Sequence, residues 1–577
     1  MHYLVTSHEE TSRSPARRPI VHAVTPTLPC PRPRSLALLV AALLGGSVVP
    51  TTAASQRILT TGPDAVTLPR GTFRVETGGE LTIQRDRWNE GRLEGIGGAL
   101  TGTPLDATRL TLLAPIEGLV RGLGVDDFRA SLGPTRLDVR QRLFASALGL
   151  EYGVTSRLTL GVRATLVRTR PEALFRARPD STATLGLNPL RLASGVAAAN
   201  ATAVGRFTTA ATQLGQRRTA CTADPSAFPE CALILAEAAR VNALTSTASS
   251  FATGLGSLYG TATGAGRRYV PLAGSAVESL LIARADSLRT AFARYGVAGI
   301  PTSGALPAGA EIGLTGEELD RIVRDTTDGF GARPLNAGAL TAIGDVHVSA
   351  KMLLIDRVPQ RFERGARGVR QSVLLDYRIG TGTVDDPEAL FDIGTGTGTS
   401  ALTVRSLTDV VLGDRFWTTI AFGATTGGAA VARSLRVPAP GGADLIEAGR
   451  TLPVQVTPGR LLDATVAPRW QLGDYLMVGA LWQWSRADGD AHSVPEIGLP
   501  GGVDPAQLDA WSARESQRVG LSLTYSTLAA RRRLTIGGTA WELSYTHLQS
   551  IASRHGLVPK AFEDRVLLRA YPRFRAR

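Results

Sequence analysis

The feature that most constrains this chain is the unbroken alternation of residues 518 to 526. Val519, Leu521, Leu523 and Tyr525 fall on one face of an extended strand, and Arg518, Gly520, Ser522, Thr524 and Ser526 fall on the other. Strand side chains point alternately to two faces, so this segment has one wholly apolar wall and one wall bearing an arginine. A transmembrane barrel strand has this pattern, with apolar residues turned to lipid and polar or small ones turned to a lumen. The pattern recurs. Leu462, Ala464, Val466 and Trp470 oppose Asp463, Thr465, Arg469 and Gln471. After a tight turn at Gly473 and Asp474, Leu476, Val478, Ala480, Trp482 and Trp484 form one face of the returning strand. Val346, Val348, Ala350, Met352 and Leu354 oppose His347, Ser349 and Lys351; Val373, Leu375, Tyr377 and Ile379 oppose Ser372, Asp376 and Arg378.

Further strands are expected at 73–85, 137–152, 157–168, 401–412, 415–423, 536–548 and 565–574. In the last of these, Val566, Leu568, Ala570, Pro572 and Phe574 face lipid, while Arg565, Leu567, Arg569, Tyr571 and Arg573 face inward. Pro572 fits because it sits at the strand end. Trp417, Trp470, Tyr475, Trp484, Trp541, Tyr545 and Phe574 lie near strand ends, where an interfacial girdle places aromatics. Tight connections (153–156, 413–414, 472–474) alternate with long ones (170–344, 380–400, 424–460, 486–516), as in barrels with short periplasmic turns and long external loops. A propeller would need a repeat near 40–50 residues, and none is present. The fold class expected is an all-β transmembrane antiparallel β-barrel of about 12 strands, with 12–14 allowed, carrying a large mainly helical insertion.

Composition agrees. Hydrophobic residues make up 43% of the chain and charged residues 20%, yet beyond the N-terminus no stretch is apolar enough for a spanning helix. Ser35 to Val49 is an apolar run preceded by Arg32 and Arg34 and followed by Thr52, Ala53, Ala54 and Ser55, the layout of a secretory signal. The expected organisation is a signal peptide with an extended n-region over 1–55, N-terminal barrel strands over 56–169, an insertion over 170–344 and C-terminal strands over 345–577. Export to the cell outer membrane also makes a disulfide between Cys221 and Cys231 plausible by compartment. The charge of +13 comes almost wholly from arginine. It forms no basic tract interleaved with aromatics, so nucleic acid is excluded as a partner.

Residues 170–344 break the alternation and read as helices. Ser275 and Glu278 have capping-box spacing ahead of Val277, Leu281, Leu288 and Phe292; Thr315 and Glu318 repeat it ahead of Leu319, Ile322 and Val323. Another helix is expected at about 229–243 from Pro229 onward. Such a subdomain would cap the barrel, fold inward as a constriction or plug, or bind a partner.

Catalytic chemistry finds no support. His347, His492, His547 and His555 have no zinc-ligand spacing, and His347 and Ser349, two apart on a strand, lie roughly 7 Å from each other. The Gly394–Thr399 run lacks the Gly-Lys-Ser/Thr ending of a phosphate loop. With Asp385, Asp386 and Asp392 it reads as a solvated external loop or strand entrance. No enzyme, cofactor or metal is expected. The lumen is expected to be lined by Arg163, His347, Ser349, Lys351, Asp376, Arg378, Arg405, Asp463, Arg469, Arg518, Glu542, Arg565, Arg569 and Arg573. Basic rings of this kind favour anions.

Several stretches resemble a family of bacterial outer-membrane transporters for aromatic compounds, the phenol meta-pathway group, loosely similar to long-chain fatty acid channels. They are LEYGVTSRLTLGV (Leu150–Val162), GDVHVSAKMLL (Gly344–Leu354), DDPEALFDIGTGTGTSAL (Asp385–Leu402) and WELSYTH (Trp541–His547). The resemblance implies an outer-membrane channel or transporter for small solutes, hydrophobic or anionic, working without direct energy input. The implied partners are the lipid bilayer, a small-molecule solute, and the barrel-assembly machinery acting on the strand that ends at Phe574. The insertion and the extra Arg575, Ala576 and Arg577 depart from the family pattern. The alternative is a surface barrel acting through 170–344 as adhesin, receptor or anchor.

Overall fold

The computed structural model describes residues 64–572, apart from 103, 178–181, 302–305, 327–328, 337, 359–366, 414, 428–429, 439–449, 495–503 and 529–538. The expected signal segment, Arg573 and Phe574 lie outside the described residues.

Twelve antiparallel strands close into a barrel. They are β1 (Phe73–Asn89), β2 (Ser131–Gly153), β3 (Leu158–Ala177), β4 (Val346–Asp356), β5 (Arg367–Ile379), β6 (Ala401–Leu412), β7 (Phe416–Gly427), β8 (Leu461–Gln471), β9 (Leu476–Ala487), β10 (Arg514–Ser526), β11 (Ala540–Arg554) and β12 (Leu557–Tyr571). Each pairs with its neighbours in order. β1 closes the ring by pairing with both β2 and β12, with Val75 opposite Leu150 on one side and Ala570 on the other.

The wall is inverted relative to a soluble sheet. Leu521 and Leu148 are 69% and 64% exposed, while Arg518 and Arg565 are each 4% exposed. A continuous apolar exterior around a closed hydrogen-bonded wall is what lipid requires, because no strand edge is left unsatisfied. Tyr475, Tyr525 and Trp541 stack at the short-turn end, with centroids 5.6 and 5.1 Å apart, as an interfacial aromatic row would.

β11 and β12 run well past the expected boundaries at 548 and 565, meeting in a tight turn at His555 (φ 61°) and Gly556 (φ 57°). Two successive positive φ values mark the type I′ hairpin turn.

At the long-loop end sits a helical cap: α1 (Ala114–Gly122), α2 (Val196–Ala223), α3 (Cys231–Ala236), α4 (Ala238–Tyr259), α5 (Ala276–Ala293) and α6 (Gly316–Arg324). Ser275 and Thr315 cap α5 and α6 by accepting from the Glu278 and Glu318 amides. The helix expected over 229–243 is instead two helices broken at Glu237, the second far longer. A disulfide joins Cys221 to Cys231, tying α2 to α3. Phe207, Leu214, Phe251, Leu281, Phe292 and Ile322 share one core with Ile116 and Val120 of α1 and with Leu137 and Val139 of β2. The β1–β2 connection therefore belongs to the same cap as the insertion.

Candidate functional site

Among the described residues, two chain segments occupy the lumen below the helical cap, whose core reaches the barrel mouth at Leu137 and Val139 on the lumen-facing side of β2. The first precedes β1. Lys351 Nζ donates to Asp64 Oδ1 at 3.1 Å and to the Val66 carbonyl at 3.2 Å. The Ala65 amide donates to Asp409 Oδ2 at 3.1 Å, and Ser372 Oγ donates to the Ala65 carbonyl at 3.0 Å. Leu68 N donates to Thr159 Oγ1 at 2.8 Å and Thr67 Oγ1 to the Ser156 carbonyl at 2.9 Å. Ser156 lies in the β2–β3 turn, so the segment enters from the short-turn end.

The second is the β5–β6 connection. The sequence suggests a solvated external loop; the structure folds it inward. Thr395, Thr397 and Thr399 are buried, and Ile393 packs on the lumen-facing Leu143, Ala145 and Val167. Asp345 anchors it, accepting from the Gly382 amide (2.9 Å), the Thr397 amide (2.9 Å) and Thr397 Oγ1 (2.8 Å). Asp345 can reach inward because the wall breaks there. The short strand Leu340–Ile343 pairs with the outer part of β3 and β4 with the inner part, leaving Gly344 and Asp345 between them. The Gly-Thr repeat has a steric reason: the arms 380–383 and 394–399 touch backbone to backbone, and a Cβ at Gly382 would lie 2.3 Å from Gly396 Cα. Asp385, inside this loop, accepts from the Gly394 amide at 2.5 Å. Burial pushes its carboxyl up to about 6, with the nearby Asp392 carboxylate adding to the rise and the Gly394 amide and Arg433 opposing it.

Between these segments the lumen is a lattice of ion pairs. Glu76 bridges Arg163 at 2.7 Å and Arg569 at 2.8 Å. Glu80 holds Arg565 at 2.8 Å, and Glu563 pairs with both Arg565 and Arg518. Arg405 pairs with Asp463 at 2.8 Å, His347 with Asp376 at 2.8 Å, and Arg378 lies 3.7 Å from Asp345. Arg469 donates to Thr419 Oγ1, which donates to Asp409. Glu542 accepts from Ser526 and Tyr571. Ser349 lines a cavity of about 70 Å³, room for a few waters, together with Asp64, Arg74, Glu151 and Lys351. The structure thus brings every sequence-derived lumen residue inside the barrel except Arg573, which is not described.

Sequence reasoning missed the acids that answer the arginines: Asp64, Glu76, Glu80, Glu151, Asp345, Asp409 and Glu563. Glu76 and Glu80 had a signal, since four residues apart on a strand they share a face. Among the described residues no group of three or more His, Cys, Asp or Glu is placed to hold a metal ion.

Exterior and interior together define a transmembrane β-barrel with a charged lumen narrowed at both ends. No protein-family model matches the chain, and no curated protein does. Among solved structures, it is similar to an outer membrane channel from Pseudomonas putida F1 at 8% identity and a TM-score of 0.38, over 89% of this chain and all of that one (100%). It is also similar to a FadL homologue from Pseudomonas aeruginosa (9% identity, TM-score 0.24, 92% of this chain and 100% of that one) and to the Pseudomonas putida toluene transporter TodX (8%, 0.24, 92% and 96%). At such identities and scores the likeness carries no argument about the function of this chain.

Proposed function

We propose that the protein is a gated outer-membrane channel for small solutes, seen here closed, and that its open lumen favours anions. The reading is carried by one observation: Asp64, a residue of the inserted segment and not of the wall, is the counter-ion of Lys351. The cavity is lined by the cations Arg74, Arg163, Lys351, Arg405 and Arg569 and by the acids Asp64, Glu76, Glu151 and Asp376. Withdrawal of the segment takes Asp64 with it and leaves the wall with surplus positive charge, which attracts anions. Of the hydrophobic and anionic solutes the sequence admits, this charge supports the anionic class. Loops at the long-loop end face outward, the mature N-terminus lies in the periplasm, and no nucleotide motif supplies energy. Closure through β12, which ends at Tyr571, is the step on which barrel-assembly machinery would act.

The test is reconstitution of the mature chain into planar bilayers with a salt gradient. Discrete conductance with an anion-selective reversal potential is expected. A barrel that inserts but stays silent, both intact and without residues preceding Thr67, removes the channel reading and favours a surface anchor working through the helical cap.

A further inference from the structure

Toward the long-loop end, on one side of the barrel, the apolar exterior gives way to outward cations. On β2 the outward positions run Tyr152, Leu150, Leu148, Ser146 and Phe144, then Arg142 and Arg140; on β3 they run Leu160, Val162, Ala164 and Leu166, then Arg168 and Arg170. Register sets Arg142 opposite Arg170 on β3 and opposite Ile83 on β1, and Ile83 opposite Phe562 on β12. Just beyond them stand Arg85 and Lys560, the latter with its ammonium 5.8 Å from the Phe562 ring centre. From Tyr152 to Arg142, at about 3.3 Å per residue and a tilt near 40°, β2 climbs roughly 25 Å, the height of a barrel's apolar band. The cations therefore meet the membrane at the headgroup level of the long-loop side.

Their charge is answered by the protein only in part, with Asp86 opposite Lys560 in register. Glu172 lies 3.3 Å from Arg142 and 3.5 Å from Arg170. Asp564, nearer the belt's centre, is engaged by His547 at 2.9 Å and Tyr545 at 2.6 Å. Arg140 and Arg142 each bury an Nε that has no hydrogen-bond partner, and the Arg170 side chain is 59% exposed. Guanidinium forks match phosphate oxygens in bidentate geometry, and basic clusters beside a membrane span attract anionic headgroups.

We propose that Arg85, Arg140, Arg142, Arg168, Arg170 and Lys560 form a binding site for the phosphorylated headgroup of an outer-leaflet lipid, whose acyl chains lie along Phe144, Leu148 and Leu166. The site rests on the outer-membrane orientation given above and not on the passage of any solute.

The test mixes the full mature chain, purified in neutral detergent, with bisphosphorylated lipid A and measures the lipid retained per barrel by native mass spectrometry. The wild type is expected to retain it, and the triple variant Arg142→Gln/Arg168→Gln/Arg170→Gln to retain at least tenfold less. Offering dephosphorylated lipid A to the wild type should lower retention as far. The control pair Arg218→Gln/Arg240→Gln on the cap removes two positive charges against the triple variant's three and should leave retention unchanged. Equal retention of phosphorylated and dephosphorylated lipid, or undiminished retention by the triple variant, overturns the proposal. The dephosphorylated arm needs no variant, so it decides even if the triple variant misfolds. A barrel that conducts without phosphate preference overturns this site alone, and one that retains lipid without conducting overturns the channel alone.

Discussion

Lys351 and Asp64 meet 3.1 Å apart in the lumen although 287 positions separate them in sequence, so one wall cation holds the segment that leads into the first strand. Replacing Lys351 by Met should leave Asp64 and the Val66 carbonyl without their ammonium. Removing one partner of a buried polar contact costs about 1–3 kcal/mol, a rise of roughly 5- to 150-fold in the open fraction. Single-channel recording measures this. An open probability equal to wild type would show that the segment is not held there by Lys351.

Asp345→Ala should free the inward loop in the same way at the other mouth. Three hydrogen bonds to Gly382 and Thr397 end on that carboxylate, and the Arg378 guanidinium 3.7 Å away would lose its acid. Cleavage within 380–400 by protease added from outside should accelerate at least about tenfold. An unchanged cleavage rate would mean that the loop is anchored elsewhere.

Gly382→Ala tests the steric basis of the Gly-Thr repeat, because its new Cβ would collide with the opposing backbone at 2.3 Å. The two arms must part, and the same protease sites should open while heat-modifiable migration of the barrel stays normal. Gly473→Ala is the matched control, since a Cβ there meets nothing within 4 Å. Equal protease resistance in both variants would refute the backbone zipper.

The loop should also respond to pH. With the Asp385 carboxyl raised to about 6 by burial and ordinary carboxyls near 4, the inward state binds a proton that the released loop gives up. Its extra stability is complete below about pH 4 and is lost as pH rises through about 6. Protease resistance of the loop should be greater at pH 5 than at pH 7.5, and Asp385→Asn should hold at least the pH 5 level at both. A wild-type loop equally resistant at both pH values would contradict this.

Cys221→Ser should loosen the cap and spare the barrel. Both cysteines are fully buried, and a bridge closing so short a loop contributes about 2–3 kcal/mol. Hydrogen exchange in α2 and α3 should speed up by roughly 30- to 150-fold while exchange in the strands is unaltered. Equal acceleration in both would show one cooperative unit where two are expected.

The barrel was readable because lipid imposes a period of two on every residue it touches; Leu521 and Arg518 could only face opposite ways. The signal stopped where the membrane stops. β11 and β12 continue for several residues beyond 548 and before 565, but outward positions there, such as Gln549 and Lys560, no longer need to be apolar, so the alternation fades while the strands go on. α2 and α4 are rich in Ala and Thr and weakly amphipathic, which hid them. The lumen arginines were legible from parity. Their acids were less so, because Glu76 and Glu80 meet Arg569 and Arg565 only when the two ends of the barrel join. Nothing local in the sequence around Asp64 announces that it will find Lys351.

That junction has a consequence for how the molecule is made. Val75 pairs with Ala570 and Glu80 with Arg565, so the second edge of the first strand is covered only when the last strand reaches it. Contacts so remote in sequence form slowly, and until then both terminal strands offer unpaired backbone to any neighbouring chain. The buried Glu80–Arg565 and Glu76–Arg569 pairs straddle this seam. They make the final zippering register-sensitive: a slip of a single residue turns these charges toward lipid, and a misclosed barrel is penalised at the last step of its assembly.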